Sequence, residues 1–157
     1  MTVPEGILIE QPLISRISSR AGLQVSIFEG GIIQSIIAGK VRINLFTNNR
    51  FQNGCGIYLR RRENPYRFAP LFGPGSGCRY SLTENQFLAI GDFEDIRFLC
   101  RLSLAPNTHA WKWTVHLENT GRKEAPLDLI YTQDVGMTAA DEMEKNEFYI
   151  SQYIDYT

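Results

Sequence analysis

The feature that most constrains this chain is a strict two-residue alternation of apolar and polar side chains. In Ala110–Asn119 (AWKWTVHLEN), Trp111, Trp113, Val115 and Leu117 share one face, and Lys112, Thr114, His116 and Glu118 share the other. Only an extended chain puts every second residue on one side, so this is a strand with one face against a core. Ile96–Leu104 repeats the pattern with Ile96, Phe98, Cys100, Leu102 and Leu104 aligned. Val41–Phe46 and Pro126–Asp134 follow it, the latter through Leu127, Leu129 and Tyr131. Further strands are expected at Leu23–Glu29, Ile32–Ile37, Cys55–Arg61, Arg79–Thr83, Phe87–Phe93 and Phe148–Asp155.

Turn-forming residues separate these runs: Gly30-Gly31, Ala38-Gly39, Asn48-Asn49, Asn53-Gly54 and Asn119-Thr120-Gly121. About ten short strands punctuated in this way indicate an all-β fold, an antiparallel two-sheet β-sandwich over residues 1–157 as a single domain. Trp111, Trp113, Val115, Leu117, Phe98, Leu102, Leu127 and Leu129 are expected between its sheets. Only Thr138–Glu147 reads as helical, with Thr138 as its cap. Arg62–Gly77 (RENPYRFAPLFGPGSG) reads as one long irregular loop. The chain stops at the edge of its last expected strand, which suggests a piece of something longer.

A hydrophobic content of 43% excludes a disordered chain. No apolar run approaches the roughly 20 residues that span a bilayer, and the N-terminus lacks the basic start of a secretory signal. Cys55, Cys78 and Cys100 are odd in number and widely spaced, which fits reduced core thiols rather than a disulfide framework or a zinc site. The expectation is a cytoplasmic protein that binds no membrane. Residues 1–80 carry ten Lys/Arg against four acids, and residues 81–157 carry six against thirteen. Such halves are expected to face each other across one domain. Arg60 and Arg62 alternate with Arg61 on a strand, so the basic cluster is no single patch and does not suit a nucleic acid.

Candidate chemistry is sparse. His109 and His116 are the only histidines, and no Gly-x-Ser-x-Gly elbow accompanies them. Gly73-Pro74-Gly75-Ser76-Gly77 lacks the lysine and helix of a phosphate loop. Glu94-Asp95 and Asp141, Glu142 and Glu144 read as solvated charges. No catalytic residue, metal ligand or cofactor is expected. Two sets remain as binding candidates. Tyr66, Arg67 and Phe72 belong to the long loop, where rings stack and an arginine donates a planar fork. Gln133 and Asp134, at the end of an apolar run, are candidate polar contacts to a ligand hydroxyl, or a turn cap.

FAPLFGPGSG (Phe68–Gly77), LSLAPNTHAWKWTVHLENTG (Leu102–Gly121), PLDLIYTQDVGM (Pro126–Met137) and NEFYISQYIDY (Asn146–Tyr156), in this order, resemble the N-terminal domain of 1,2-β-oligoglucan phosphorylases. Those enzymes belong to glycoside hydrolase family 94, with cellobiose phosphorylase and cyclic β-1,2-glucan synthase. The resemblance implies a sandwich of the galactose-mutarotase-like, or supersandwich, type. It also implies a non-catalytic N-terminal fragment of a carbohydrate-active enzyme, an inverting phosphorylase of the glycosyltransferase kind. Such a fragment packs on an (α/α) catalytic barrel of the same parent chain, with the Arg62–Gly77 loop bordering a β-glucan oligosaccharide cleft. The alternative is a stand-alone carbohydrate-binding or assembly module. A face freed of its barrel, and an open last strand, would favour a homodimer or larger species.

Overall fold

The computed structural model describes residues 14–45 and 55–141, and these fold into twelve β-strands in three antiparallel sheets. In chain order the strands are β1 (Ile14–Ser18), β2 (Leu23–Phe28), β3 (Ile32–Ala38), β4 (Val41–Arg42), β5 (Cys55–Arg61) and β6 (Arg67–Pro70). They continue as β7 (Arg79–Leu82), β8 (Gln86–Phe93), β9 (Ile96–Leu104), β10 (Trp111–Asn119), β11 (Leu127–Gln133) and β12 (Thr138–Ala139). The first sheet runs β1-β2-β3-β4-β12, the second β10-β9-β8-β7, and the third β11-β5-β6.

The alternation places most strands within a residue or two of their observed ends. Three are new. β1 and β12 arise from short segments whose partners, β2 and β4, supply the pairing. β6 lies inside the expected loop, where Arg67–Pro70 pairs with Tyr58–Arg61 of β5. The expected helix opens as a strand: Thr138–Ala139 pairs with Val41–Arg42, and Ala140 and Asp141 after it are helical. Sheet pairing here overrides a weak helical preference. The rest of that segment, and Phe148–Asp155, lie outside the described residues.

The expected two sheets are three, and they share one core. Ile17, Val25, Ile33 and Ile36 come from the first sheet, Phe87, Phe98, Cys100 and Leu102 from the second, and Cys55, Ile57 and Leu59 from the third. Asn44, fully buried, continues the first sheet after β4 ends. Its Oδ1 accepts from the Ile36 N–H at 2.7 Å, and its Nδ2 donates to the Gln34 and Leu45 carbonyls at 3.0 and 2.9 Å. Buried backbone groups that would lack a strand partner are thereby satisfied.

Burial within the core-side row is uneven. Phe98 and Leu102 of β9 are buried as expected. Their partners on β10 are not: Trp113 (opposite Leu102) and Val115 are half-buried, and Leu117, opposite Phe98, is 42% exposed. On β11, Leu127 is half-buried and Leu129 is exposed. Among the described residues both β10 and β11 are last in their sheets, so each core face has one flanking strand there. Their apolar rows therefore extend past the cover that the rest of the core provides.

Candidate functional site

β10 and β11 bring their core-side residues together on this open side. Tyr131 of β11 sits beside Trp111 and Trp113 of β10. Trp113 stacks face to face on Phe72, with centroids 4.9 Å apart and planes 5° from parallel, and meets Phe87 edge-on. Such pairs fix ring orientation beyond simple burial. The β11 row then runs outward. Leu129 and Tyr131 are 52% and 48% exposed, although their register partners on β5, Leu59 and Ile57, are 0% and 3% exposed. Val135 and Met137, after the end of β11, are also exposed.

A line of polar groups follows the inner edge of this surface. The Cys55 thiol donates to the Tyr131 hydroxyl at 3.7 Å, which donates to Gln133 Oε1 at 2.8 Å. Gln133 Nε2 donates to the Asp134 carbonyl at 2.9 Å. The Trp113 indole N–H is buried close to Cys55 and Tyr131 but closes a hydrogen bond to neither. Burial pushes the Cys55 thiol up to about 11 and the Cys100 thiol to about 12. It also lifts the Tyr131 phenol to about 12, with the neighbouring Cys55 acting in the same sense. Burial raises Asp134 to about 6, against the pull of its own and Leu45's backbone N–H groups and of the Arg42 charge. A thiol raised in this way is a poor nucleophile, and a phenol so raised is a poor base at neutral pH. What the arrangement offers chemically is an apolar surface with a polar margin, the composition of a protein-binding face.

The residues expected to bind a ligand are not gathered into one place. Gln133 and Asp134 belong to the margin just described. Tyr66 is exposed, with the Arg60 guanidinium 5.6 Å from its ring centroid. Arg67 is held in ion pairs by Glu63 at 2.7 Å and Glu94 at 2.5 Å. These two lie by the Arg61 end of β5, while Gln133 pairs with Cys55 at the other end. The length of the strand, about 20 Å, separates the two groups. Phe72 does not line a loop surface at all. It is 1% exposed and fills the core against Trp113 and Phe87, whereas Phe68, like Tyr66, is exposed.

Glu94 and Asp95 are not free solvated charges. They turn the chain between β8 and β9 and hold Arg61, whose side chain is 6% exposed: Nε lies 2.7 Å from Glu94, and Nη2 contacts Asp95. Arg60 and Arg62 pair instead with Asp128 on the opposite face of β11. His109 Nε2 lies 2.6 Å from the Ala21 carbonyl, and His116 is on the exposed outer face of β10. Among the described residues no group of three or more His, Cys, Asp or Glu is placed to hold a metal ion. No helix among them is long and apolar enough to cross a membrane.

Sequence reasoning missed the open side because alternation marks which face is apolar, not how well it is covered. The one available signal was the clustering of bulky residues on two successive runs, Trp111–Leu117 and Leu127–Tyr131.

Compared with known families, residues 26–157 match the SOGP N-terminal domain. No curated protein matches the chain. The family matched is not a glycoside hydrolase family 94 domain, so the resemblance drawn from the four sequence motifs is corrected. The reading of a fragment of an inverting β-glucoside phosphorylase, its carbohydrate-binding alternative and the associated glycosyltransferase description are withdrawn with it.

Proposed function

We propose, for a chain that belongs to the SOGP N-terminal domain family, a role in docking: the domain presents the β11 side of its core to another part of the protein that carries it. The occupant is the polypeptide that follows it, the position that an N-terminal domain has in its protein. One observation carries this reading. Leu129 and Tyr131 point to the core side of their sheet yet stay half in water, next to β5 residues that are almost completely buried. Exposed apolar surface that is contiguous and rimmed by polar groups marks interaction sites. Gln133 and Asp134 supply hydrogen-bonding groups at its margin.

The antiparallel sheets around one core support our further reading of a galactose-mutarotase-like sandwich. Three unpaired thiols favour a reducing compartment such as the cytoplasm.

The test is the Leu129→Ser/Tyr131→Ser variant. Side chains already half exposed stabilise the isolated fold little, so its Tm is expected to fall by only a few degrees, about 2–5 °C. Binding of an apolar dye should drop, and in the longer protein limited proteolysis should release the domain faster. A fall beyond about 10 °C with unchanged proteolysis would return these residues to the core.

A further inference from the structure

β10 is nine residues long and pairs with β9 along its whole length, from Trp111↔Leu104 to Asn119↔Ile96. Among the described residues no strand pairs along its other side. A long, straight edge of this kind presents a row of backbone donors and acceptors, and proteins usually guard such edges with proline, bulges or charge. β10 has no proline, and its register with β9 runs without a bulge. Its charged guards are Lys112 and Glu118, both exposed on the outer face.

We propose that this edge pairs with the same edge of a second copy of the chain, antiparallel about a twofold axis at Val115. The inference goes beyond the docking role above, which uses β11. Two copies related by a twofold axis must oppose residues of like face, because a one-residue slip would set the Trp111–Leu117 row against the polar row. Of the registers that meet this condition, the one centred on Val115 overlaps all nine residues. It is also the only one that sets Lys112 opposite Glu118, and it does so twice, once on each side of the axis. The charge that would repel a wrong partner is neutralised by the right one. On the core side the same register sets Trp113 opposite Leu117, covering the one β10 apolar side chain that is left 42% exposed. Thr114 falls opposite His116.

Sedimentation equilibrium at low salt tests this with Lys112→Glu, Glu118→Lys and the double swap. The native chain is expected to dimerise. Each single variant turns both cross-strand attractions into repulsions and should weaken the dimer about tenfold. The double swap restores opposite charges and should recover most of that loss. Glu118 also lies 3.6 Å from Arg97 in its own chain, and the double variant loses this contact too, so recovery reports the intermolecular pair alone. A native chain that stays monomeric at all concentrations overturns the proposal. A dimer indifferent to all three variants also overturns it, and leaves the docking role of β11 standing.

Discussion

At the scale of single residues, the core's margin is set by how one carboxyl is solvated. Burial lifts Asp134 to about 6 from an ordinary 3.8. The folded chain therefore holds this proton more tightly than the unfolded one. Stability from this group is present in full below about pH 4, falls as pH rises towards about 6, and is flat above. The facing groups are Arg42, which favours the charged form, and Gln133. Neither removes the cost of desolvation. Asp134→Asn carries no charge to desolvate, and its oxygen can still accept from the Leu45 N–H. The variant's Tm is expected to equal that of the native chain at pH 4 and exceed it by about 3–6 °C above pH 6, as thermal melts across that range would show. Equal melting at every pH would mean that Asp134 titrates as an ordinary carboxylate. Its place at the end of an apolar run was legible in the sequence. Its solvation was not, because that depends on Leu45 and Arg42, some 90 residues away in the chain.

At the scale of elements, pairing depends on close approaches that no alternation pattern reveals. Gly91 of β8 stands opposite Phe98 of β9, and a Cβ built on it would lie 2.6 Å from Phe98 Cζ. The ring lies where any larger residue's side chain would begin. Gly91→Ala must displace a buried phenyl ring, which costs about 1–3 kcal/mol. Urea unfolding of Gly91→Ala, Phe98→Leu and the double variant measures it. A smaller ring-free side chain should recover part of the alanine penalty, giving a favourable coupling between the two sites. Additive effects would show that the contact does not constrain the pair. The runs for β9 and β10 were readable because apolar residues recur at every second position, and those for β5, β8 and β11 because apolar residues cluster between turn signals. β6 was not, because Pro65, Pro70 and three later glycines gave its segment the composition of a loop. Its pairing comes from β5, which lends a neighbour to a segment too short to signal itself. The expectation that Phe72 serves a binding loop failed for the same reason: being next to Gly73 and Pro74 says nothing about which way a ring turns.

At the scale of the whole molecule, the charge imbalance between the two halves of the chain becomes a set of ties between sheets. Arg61 of β5 meets Glu94 and Asp95 from the β8–β9 turn, joining the third sheet to the second. Thr120 locks the next turn to the same place, donating from its N–H at 2.7 Å and its hydroxyl at 2.8 Å to the Asp95 carbonyl. Removing Arg61 leaves Glu63, Glu94 and Asp95 crowded around a vacated, nearly dry position. Arg61→Met is expected to cost about 2–4 kcal/mol in denaturant unfolding, moderated because the carboxylates are partly in water. Adding Glu94→Gln should return part of it, and a loss below about 0.5 kcal/mol would mark the cluster as ordinary surface pairing. The third sheet has another property that bears on how the chain is made. Its central strand, β5, gains β11 as a neighbour only when residues such as Tyr131, 76 positions after Cys55, have been added. A ribosome adding about 5–20 residues per second takes roughly 4–15 s over that stretch. The consecutive strands β7 to β10 can meanwhile close on one another as they emerge. β5, five of whose seven residues are buried in the finished fold, spends those seconds with one side unpaired. Translation speed between codons 61 and 127, rather than the stability of the finished fold, thus decides how long the nascent chain must be kept from sticking to its neighbours.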